Sequence, residues 1–357
     1  MGIDLGDVVI KHPTTLKDLH GQTVAFDAWN VLYQFLSNIR QPDGTPLMDA
    51  QGRVTSHLAG CLYRTANLVE AGIKPVFVFD GEPHHLKRET LAARSERRKQ
   101  AEADYAEAKA SGDDEKAFSK AQQTSKMTSD MADEAKHLLR SLGIPVIEAP
   151  SEGEAQAAWM AKEGIVDAAA SQDFDALLFG TPRLLRNVTV TGRRKLPGKQ
   201  VWVDVTPEEI RLEESLAKAE LTREQLVDAA LLVGTDFNPG IKGIGPKKAL
   251  ALIQKEGSLE ALIERLSGNP ESATKAVERS ILEQHEALMD RDVIRDIFLR
   301  PVHADVELEK SRADGDAVRT FMVKERGFSQ ERVDAALRRF DVAAEAKKQT
   351  GLFEFGA

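Results

Sequence analysis

The chain has 357 residues, 57 acidic against 48 basic side chains and a formal net charge of −9, which is length enough for about two domains with ample core. No apolar run approaches the roughly 18 residues that span a membrane, and Met1-Gly2-Ile3-Asp4 is neither a basic nor an apolar signal region. A single cysteine excludes a disulfide framework and Gly6 breaks the myristoylation pattern at Gly2, so a soluble, intracellular protein is expected.

In chain order, the first apolar run, near 22 to 27, ends on Asp27, and a helix follows from about Ala28. His57-Leu58-Ala59-Gly60-Cys61-Leu62 has a helical pattern in which Cys61 is core packing. A second run, 75 to 79, ends on Asp80, whose neighbours Gly81-Glu82-Pro83 read as a turn. The stretch 84 to 135 is charged, Ala-rich and broken at Ser111-Gly112-Asp113-Asp114; it cannot build its own core and predicts a helical hairpin or arch away from the sheet. Runs near 144 to 148, 165 to 171 and 200 to 205 complete an alternation of strands and helices, the signature of a mainly parallel sheet covered on both faces. From about 220 onward the pattern is helical only. This places an α/β core over 1–219, with the arch inserted at 84–135, before a helical region over 220–340 and a tail over 341–357.

Seven carboxylates sit where apolar runs end: Asp27, Asp80, the pair Glu152/Glu154, the pair Asp173/Asp175, and Asp236. Each has a plain alternative. Ser151-Glu152-Gly153-Glu154 fits a helix capping box, and Asp27 and Asp236 can cap the helices near Ala28 and after Pro246. Together they describe an oxygen-only pocket at the carboxyl edge of the sheet, where ligands of such folds bind. Mutual repulsion keeps such acids ionised only around divalent cations, and hard oxygen ligands suit Mg²⁺ or Mn²⁺ over Zn²⁺. Phosphodiester hydrolysis by two metals roughly 3.5 to 4 Å apart is the commonest chemistry of such clusters. Basic residues gather at Lys87-Arg88, Arg94, Arg97-Arg98-Lys99, Arg193-Arg194-Lys195 and Lys247-Lys248, so the distribution of charge fits a nucleic-acid partner that the net charge argues against. Lys87 and Arg94 are seven apart on one helical face, placed to meet a phosphate. Gly240-Ile241-Lys242-Gly243-Ile244-Gly245-Pro246-Lys247-Lys248-Ala249 has the glycines, helix-start proline and free N–H groups of a helix-hairpin-helix clamp on the DNA backbone.

The chain resembles flap endonucleases of the archaeal and eukaryotic type, within the wider family of the xeroderma pigmentosum G nuclease and the bacterial 5′ nucleases. The matching strings are Ala25-Phe26-Asp27-Ala28, Val76-Phe77-Val78-Phe79-Asp80-Gly81, Leu91-Ala92-Ala93-Arg94-Ser95-Glu96-Arg97-Arg98, Ala149-Pro150-Ser151-Glu152-Gly153-Glu154-Ala155-Gln156, Ser171-Gln172-Asp173-Phe174-Asp175 and Gly243-Ile244-Gly245-Pro246-Lys247, in family order over nearly the whole chain. The resemblance implies a PIN-like 5′ nuclease core with a helical arch and helix-hairpin-helix region, and a DNA 5′ flap endonuclease with 5′ exonuclease activity in lagging-strand processing and repair. It implies two Mg²⁺, replaceable by Mn²⁺, surrounded by the seven acids, with Lys87 and Arg94 gripping the scissile phosphate. Tyr33 matches an aromatic that stacks on a displaced base, which tolerates any base. Thr55 and Arg64 match positions near a pocket for a one-nucleotide 3′ flap. By residue type alone, Tyr33 reads as core and Arg64 as a surface ion pair.

Gln349-Thr350-Gly351-Leu352-Phe353-Glu354-Phe355 is similar to the motif by which replication proteins dock on a sliding clamp of the proliferating cell nuclear antigen type, through Gln349, Leu352, Phe353 and Phe355. Gly356 stands where a second aromatic is usual. Ending at Ala357 without a basic tail, the chain leans to the archaeal type: a monomer, cytoplasmic and nucleoid-associated, or nuclear if eukaryotic. The rival readings are a catalytically silent junction binder that recruits the clamp, and a related nuclease preferring bubbles, junctions or RNA.

Overall fold

The computed structural model describes residues 5–354 except 7, 42, 112, 190, 191, 196–201, 274 and 310, and only the backbone course at 89, 114, 115, 117, 192–195, 202, 203 and 343–354. The elements run β1 (His12–Pro13), β2 (Thr23–Asp27), α1 (Ala28–Asn38), α2 (Ser56–Glu70), β3 (Lys74–Phe79), α3 (Arg88–Ala110), α4 (Asp114–Gln123), α5 (Ser129–Ser141), β4 (Val146–Glu148), α6 (Gly153–Lys162), β5 (Ala168–Ala170), α7 (Asp175–Leu178), β6 (Arg183–Arg186), β7 (Gly192–Lys195), β8 (Trp202–Val205) and β9 (Glu208–Arg211). Helices follow: α8 (Leu212–Ala219), α9 (Arg223–Val233), α10 (Pro246–Glu256), α11 (Leu259–Gly268), α12 (Ala276–Glu283), α13 (Arg291–Leu299), α14 (Gly315–Arg319), a π-helical turn Thr320–Glu325, and α15 (Gln330–Glu354).

Successive strand residues point to opposite faces, and the sequence uses that period. Val24 and Phe26, Phe77 and Phe79, and Ala168 and Ala170 enter one layer with α1, α2 and α5, where Phe26 stacks on Phe77 at 5.5 Å. Ala25, Val76, Val78 and Ala169 enter the other, against Ala157 and Met160 of α6. Burial on both faces explains why these strands read as continuous apolar runs. Among the described residues the sheet has seven strands in the order β1-β9-β6-β5-β2-β3-β4. β6, β5, β2, β3 and β4 are parallel, while β9 pairs antiparallel with both β6 and β1. The mixed, mainly parallel sheet between helical layers is the α/β class expected.

The run 200 to 205 is a correction: its described part, β8, pairs antiparallel with β7 in a separate two-stranded ribbon and not in the central sheet. In register, Phe26 lies beside both Phe77 and Ala170. Asp27, Asp80 and the Ser171-Gln172-Asp173 turn therefore emerge along one edge.

Helices α3 and α4 pack on each other and are joined by an ion pair, Lys120 Nζ to Asp104 at 2.7 Å. The hairpin leans back onto the core: the Arg40 guanidinium donates to Ser125 Oγ after α4 at 2.6 Å. α5 begins within the interval expected for the arch, yet its Ala132, Ala135, Leu138 and Leu139 are buried with the strand phenylalanines. α9 to α13 share a core with β6, β9 and α7, through Leu184, Ile210 and Leu178. The last helices return to the first layer, where Val318, Met322, Val333 and Leu337 are buried. No helix of the described residues is long and apolar enough to cross a membrane.

Candidate active site

β2 delivers Asp27 to the sheet edge, and Asp27 Oδ1 accepts from the Asn30 backbone N–H at 3.1 Å, so it caps α1 as its position allowed. It also faces other acids. Burial first, then the charge of Asp80, raises its pKa well above the ordinary carboxylate value. Asp80 follows β3, and its Oδ1 accepts from the Gly153 N–H at 2.7 Å. A Cβ on Gly153 would stand 2.7 Å from that oxygen, so only glycine lets the start of α6 approach this closely. Burial, then neighbouring Glu152, pushes Asp80 up to about 6.

The capping box does not form. The residue capping α6 is Glu152, with no side-chain cap bond, and the Ser151 hydroxyl donates instead to the Glu82 carbonyl at 3.2 Å. The helix starts one residue later than the box requires, and the Glu154 carboxylate, which would reach back to the cap, accepts from Ser171 instead. Glu154, in the first turn, accepts from Ser171 Oγ at 2.6 Å and is raised well above normal by burial, then by Asp27, Asp173 and Asp175. Asp173 Oδ2 accepts from Asn30 Nδ2 at 3.1 Å, and buried Asp175 opens α7.

Asp236 lies after α9 and caps nothing in α10, whose cap is Gly245. Its two oxygens accept from Arg94 Nη2 at 2.6 and 2.7 Å, and Lys87 Nζ is 3.9 Å away. Burial would raise Asp236, but nearby positive charge, first that of the chain's N-terminal ammonium and then that of Arg94 and Lys87, holds the acid below its ordinary range. Lys87 also ion-pairs with Glu152 and sits 5.2 Å from the centre of the Phe237 ring.

Six of the seven acids thus form two groups. Glu152 and Asp236 have cationic partners, whereas Asp27, Asp80, Glu154 and Asp173 are held by neutral N–H or O–H donors and raise or crowd one another. Among the described residues, no set of three already converges as a finished coordination shell. Crowded carboxylates whose hydrogen-bond donors are neutral fit a divalent cation, even with the Lys87 charge nearby, and a set made of carboxylate oxygens alone suits Mg²⁺ or Mn²⁺.

The other expected residues lie elsewhere. Tyr33 on α1 is 45% exposed, not core. Thr55 and Arg64 line one cavity of about 530 Å³ with Met48, Tyr63, Arg326 and Arg332, and none of the seven acids borders it. Arg326, which the sequence reading passed over, is held there by Glu134 at 2.7 Å, and Glu134 in turn lies 3.1 Å from buried His57. Gly243 has φ +91°, a conformation that favours glycine, and a Cβ on Gly243 or Gly245 would meet nothing within 4 Å. Lys247 and Lys248 are exposed, and Lys248 Nζ donates to the Gly243 carbonyl at 3.0 Å. The side chains of Gln349, Leu352, Phe353 and Phe355 lie outside the described residues. Asn30 and Ser171 are the polar neighbours that sequence reasoning missed. The signals were their spacing, three residues after Asp27 and two before Asp173.

A family model for the XPG N-terminal domain matches residues 4–101, and one for the XPG I-region matches residues 143–236. The curated flap endonuclease 1 of Pyrococcus abyssi is 47% identical over 354 residues, covering 99% of this chain and 97% of the relative. That of Thermococcus onnurineus is 48% identical over 354 residues, covering 99% and 98%. Among solved structures, flap endonuclease-1 from Methanococcus jannaschii superposes with a TM-score of 0.72 at 38% identity, over 97% of this chain and 100% of that one. The catalytic core of Rad2 in complex with DNA substrate gives a TM-score of 0.70 at 26% identity, over 95% and 100%. With both XPG regions matched and identity of this order running nearly end to end, the chain belongs to the flap endonuclease family of structure-specific nucleases.

Proposed function

We propose that this protein is a metal-dependent hydrolase that cuts 5′ flaps in branched DNA and trims 5′ ends, using two Mg²⁺ for which Mn²⁺ can substitute, in replication and repair. The observation that carries the reading is the half-buried carboxylate pocket with two cations, Lys87 and Arg94, already at its rim. Asp27, Asp80, Glu152, Glu154, Asp173, Asp175 and Asp236 hold the ions, directly or through water. When bound, the ions activate water near neutral pH and offset charge on the departing oxygen. Lys87 and Arg94 exchange Glu152 and Asp236 for the scissile phosphate, holding it in line for attack. Tyr33 offers its exposed ring to a displaced base. The cavity at Thr55 and Arg64 has room for a terminal nucleotide, and the Gly243–Lys248 turn grips backbone phosphates without reading sequence.

The reading extends to a monomer in the cytoplasm of an archaeal-type cell, whose Gln349–Phe355 segment docks on a sliding clamp. The test is cleavage of an end-labelled 5′-flap duplex in Mg²⁺, with Ca²⁺ and chelator controls, the Asp175→Ala variant, and the same oligonucleotides as single strand, bubble and RNA flap. A cut near the flap base that needs both Mg²⁺ and Asp175 is expected. Tight binding without a cut in Mg²⁺ or Mn²⁺ identifies a silent junction binder instead.

A further inference from the structure

We propose that Asn30, with Ser171 behind it, is a positioning residue that sets the spacing of the metal-holding carboxylates before any ion arrives; this rests on the metal-dependent reading above. Asn30 ties the start of α1 to the turn after β5. Its backbone N–H donates to Asp27 Oδ1 at 3.1 Å, its side-chain Nδ2 donates to Asp173 Oδ2 at 3.1 Å, and its Oδ1 accepts from the Gln172 N–H at 3.4 Å. A carboxylate needs a donor and a backbone N–H needs an acceptor, so one orientation of the amide satisfies both, and only an amide does so with one side chain. Ser171 continues the brace: its hydroxyl donates to Glu154 Oε1 at 2.6 Å and accepts from the Asp173 N–H at 3.2 Å.

Asp27, Asp173 and Glu154 come from three separate elements, β2, the turn after β5, and α6. They repel one another, since each raises the Glu154 carboxyl or is raised by a neighbouring acid. Two neutral residues with fixed donors hold them at a set distance without adding charge that would compete with a cation. The recess beside them, lined by Asn30, Gln34, Ser171, Gln172 and Thr189, is about 10 Å³, room for about one water. Outer-shell partners of metal ligands commonly carry 10–100-fold of affinity or activity, so a change of this order is expected here.

The experiment uses Asn30→Leu, near in volume but without either polar atom, and Ser171→Ala. Mn²⁺ affinity is titrated by the paramagnetic resonance signal of the free ion, beside metal-free melting and kcat and KM on a 5′ flap. The Mn²⁺ dissociation constant is expected to rise about 10-fold or more and kcat to fall about 10–100-fold, with KM and the metal-free melting temperature nearly unchanged. Should Asn30→Leu fail to fold, Ser171→Ala decides by the same readouts. Mn²⁺ affinity within twofold of the parent in both variants overturns the proposal, as does a loss of affinity matched by a lower metal-free melting temperature in both, which marks a purely structural prop. A parent that binds Mn²⁺ but cuts no flap sinks the nuclease reading and leaves this one standing on the Mn²⁺ result.

Discussion

The buried acids make metal-free stability fall as pH rises, and the size of the effect follows from Asp80. Its carboxyl is raised from 3.8 in the free residue to about 6 in the fold, chiefly by burial and then by Glu152. A raised folded pKa means that the native state binds the extra proton between those two values, so stability is lost as pH climbs from about 4 to about 6 and stays lost above. Two pKa units correspond to about 3 kcal/mol for a group cut off from solvent; Asp80 is open to water on one side, so screening cuts its share to about 1 kcal/mol, and Asp27 and Glu154, which are less exposed, act in the same direction. Glu209 pulls the opposite way: Arg183, then Arg211, holds it at about 2, so its contribution is lost only on acidification, below that window. Urea unfolding in chelator from pH 4.5 to 8, repeated in saturating Mg²⁺, separates the two. The chelated protein should weaken by about 1 kcal/mol or more across the range and the Mg²⁺ form should not. Asp80→Asn keeps the acceptor for the Gly153 N–H but drops the charge, and should be more stable than the parent by about 1 kcal/mol at pH 7.5 in chelator. If Asp80→Asn is no more stable than the parent there, the carboxylates are not under mutual strain and the argument for a cation between them fails.

Gly153→Ala should cost roughly 1–2 kcal/mol by urea unfolding and at least tenfold in flap cleavage; the added Cβ displaces Asp80 and breaks a charge-assisted bond worth about 1.5–3 kcal/mol, against a gain of up to about 1 kcal/mol in helix propensity. A stable and active variant would mean that Asp80 needs no such approach. Arg94→Ala should lower kcat by about 10²-fold or more while flap affinity in Ca²⁺ changes little, since the lost cation acts on the scissile phosphate; a loss confined to binding assigns it to the DNA backbone instead. Replacing both Lys247 and Lys248 by Ala should weaken binding equally across sequences and flatten the slope of log affinity against log salt by about 0.9 per lost phosphate contact. An unchanged slope removes the clamp role from the Gly243–Lys248 turn.

The parallel strands were legible where burial on two faces left no polar residue to interrupt the pattern, as in Val76-Phe77-Val78-Phe79 running straight into Asp80. β6 escaped notice because Arg183-Leu184-Leu185-Arg186 has only two apolar residues between arginines, which make ion pairs with Glu209 and Glu208 on the neighbouring strand. The seven acids and their two cations were readable as residue types at run ends. Their pairing was not: Gly153 donating to Asp80, and not Ser151 acting as cap, depends on how β3 and α6 meet across 73 residues of chain. Asn30 and Ser171 were invisible for a related reason, since a polar residue in a first helical turn or beside a strand end is ordinary until the distant partner is known. Nor did the interval 84–135 separate the hairpin of α3 and α4 from the start of α5. α5 carries its apolar residues on one face, a difference that composition averages away.

The pairing of Lys87 with Glu152 and of Arg94 with Asp236 also has a kinetic consequence. An incoming ion at this pocket competes with tethered cations as well as with bulk water. The first ion therefore arrives against side chains that are already seated, and once they swing out, a second meets less opposition. Activity should then rise more steeply than first order in Mg²⁺ at low concentration, and the threshold should move when either tethered cation is removed.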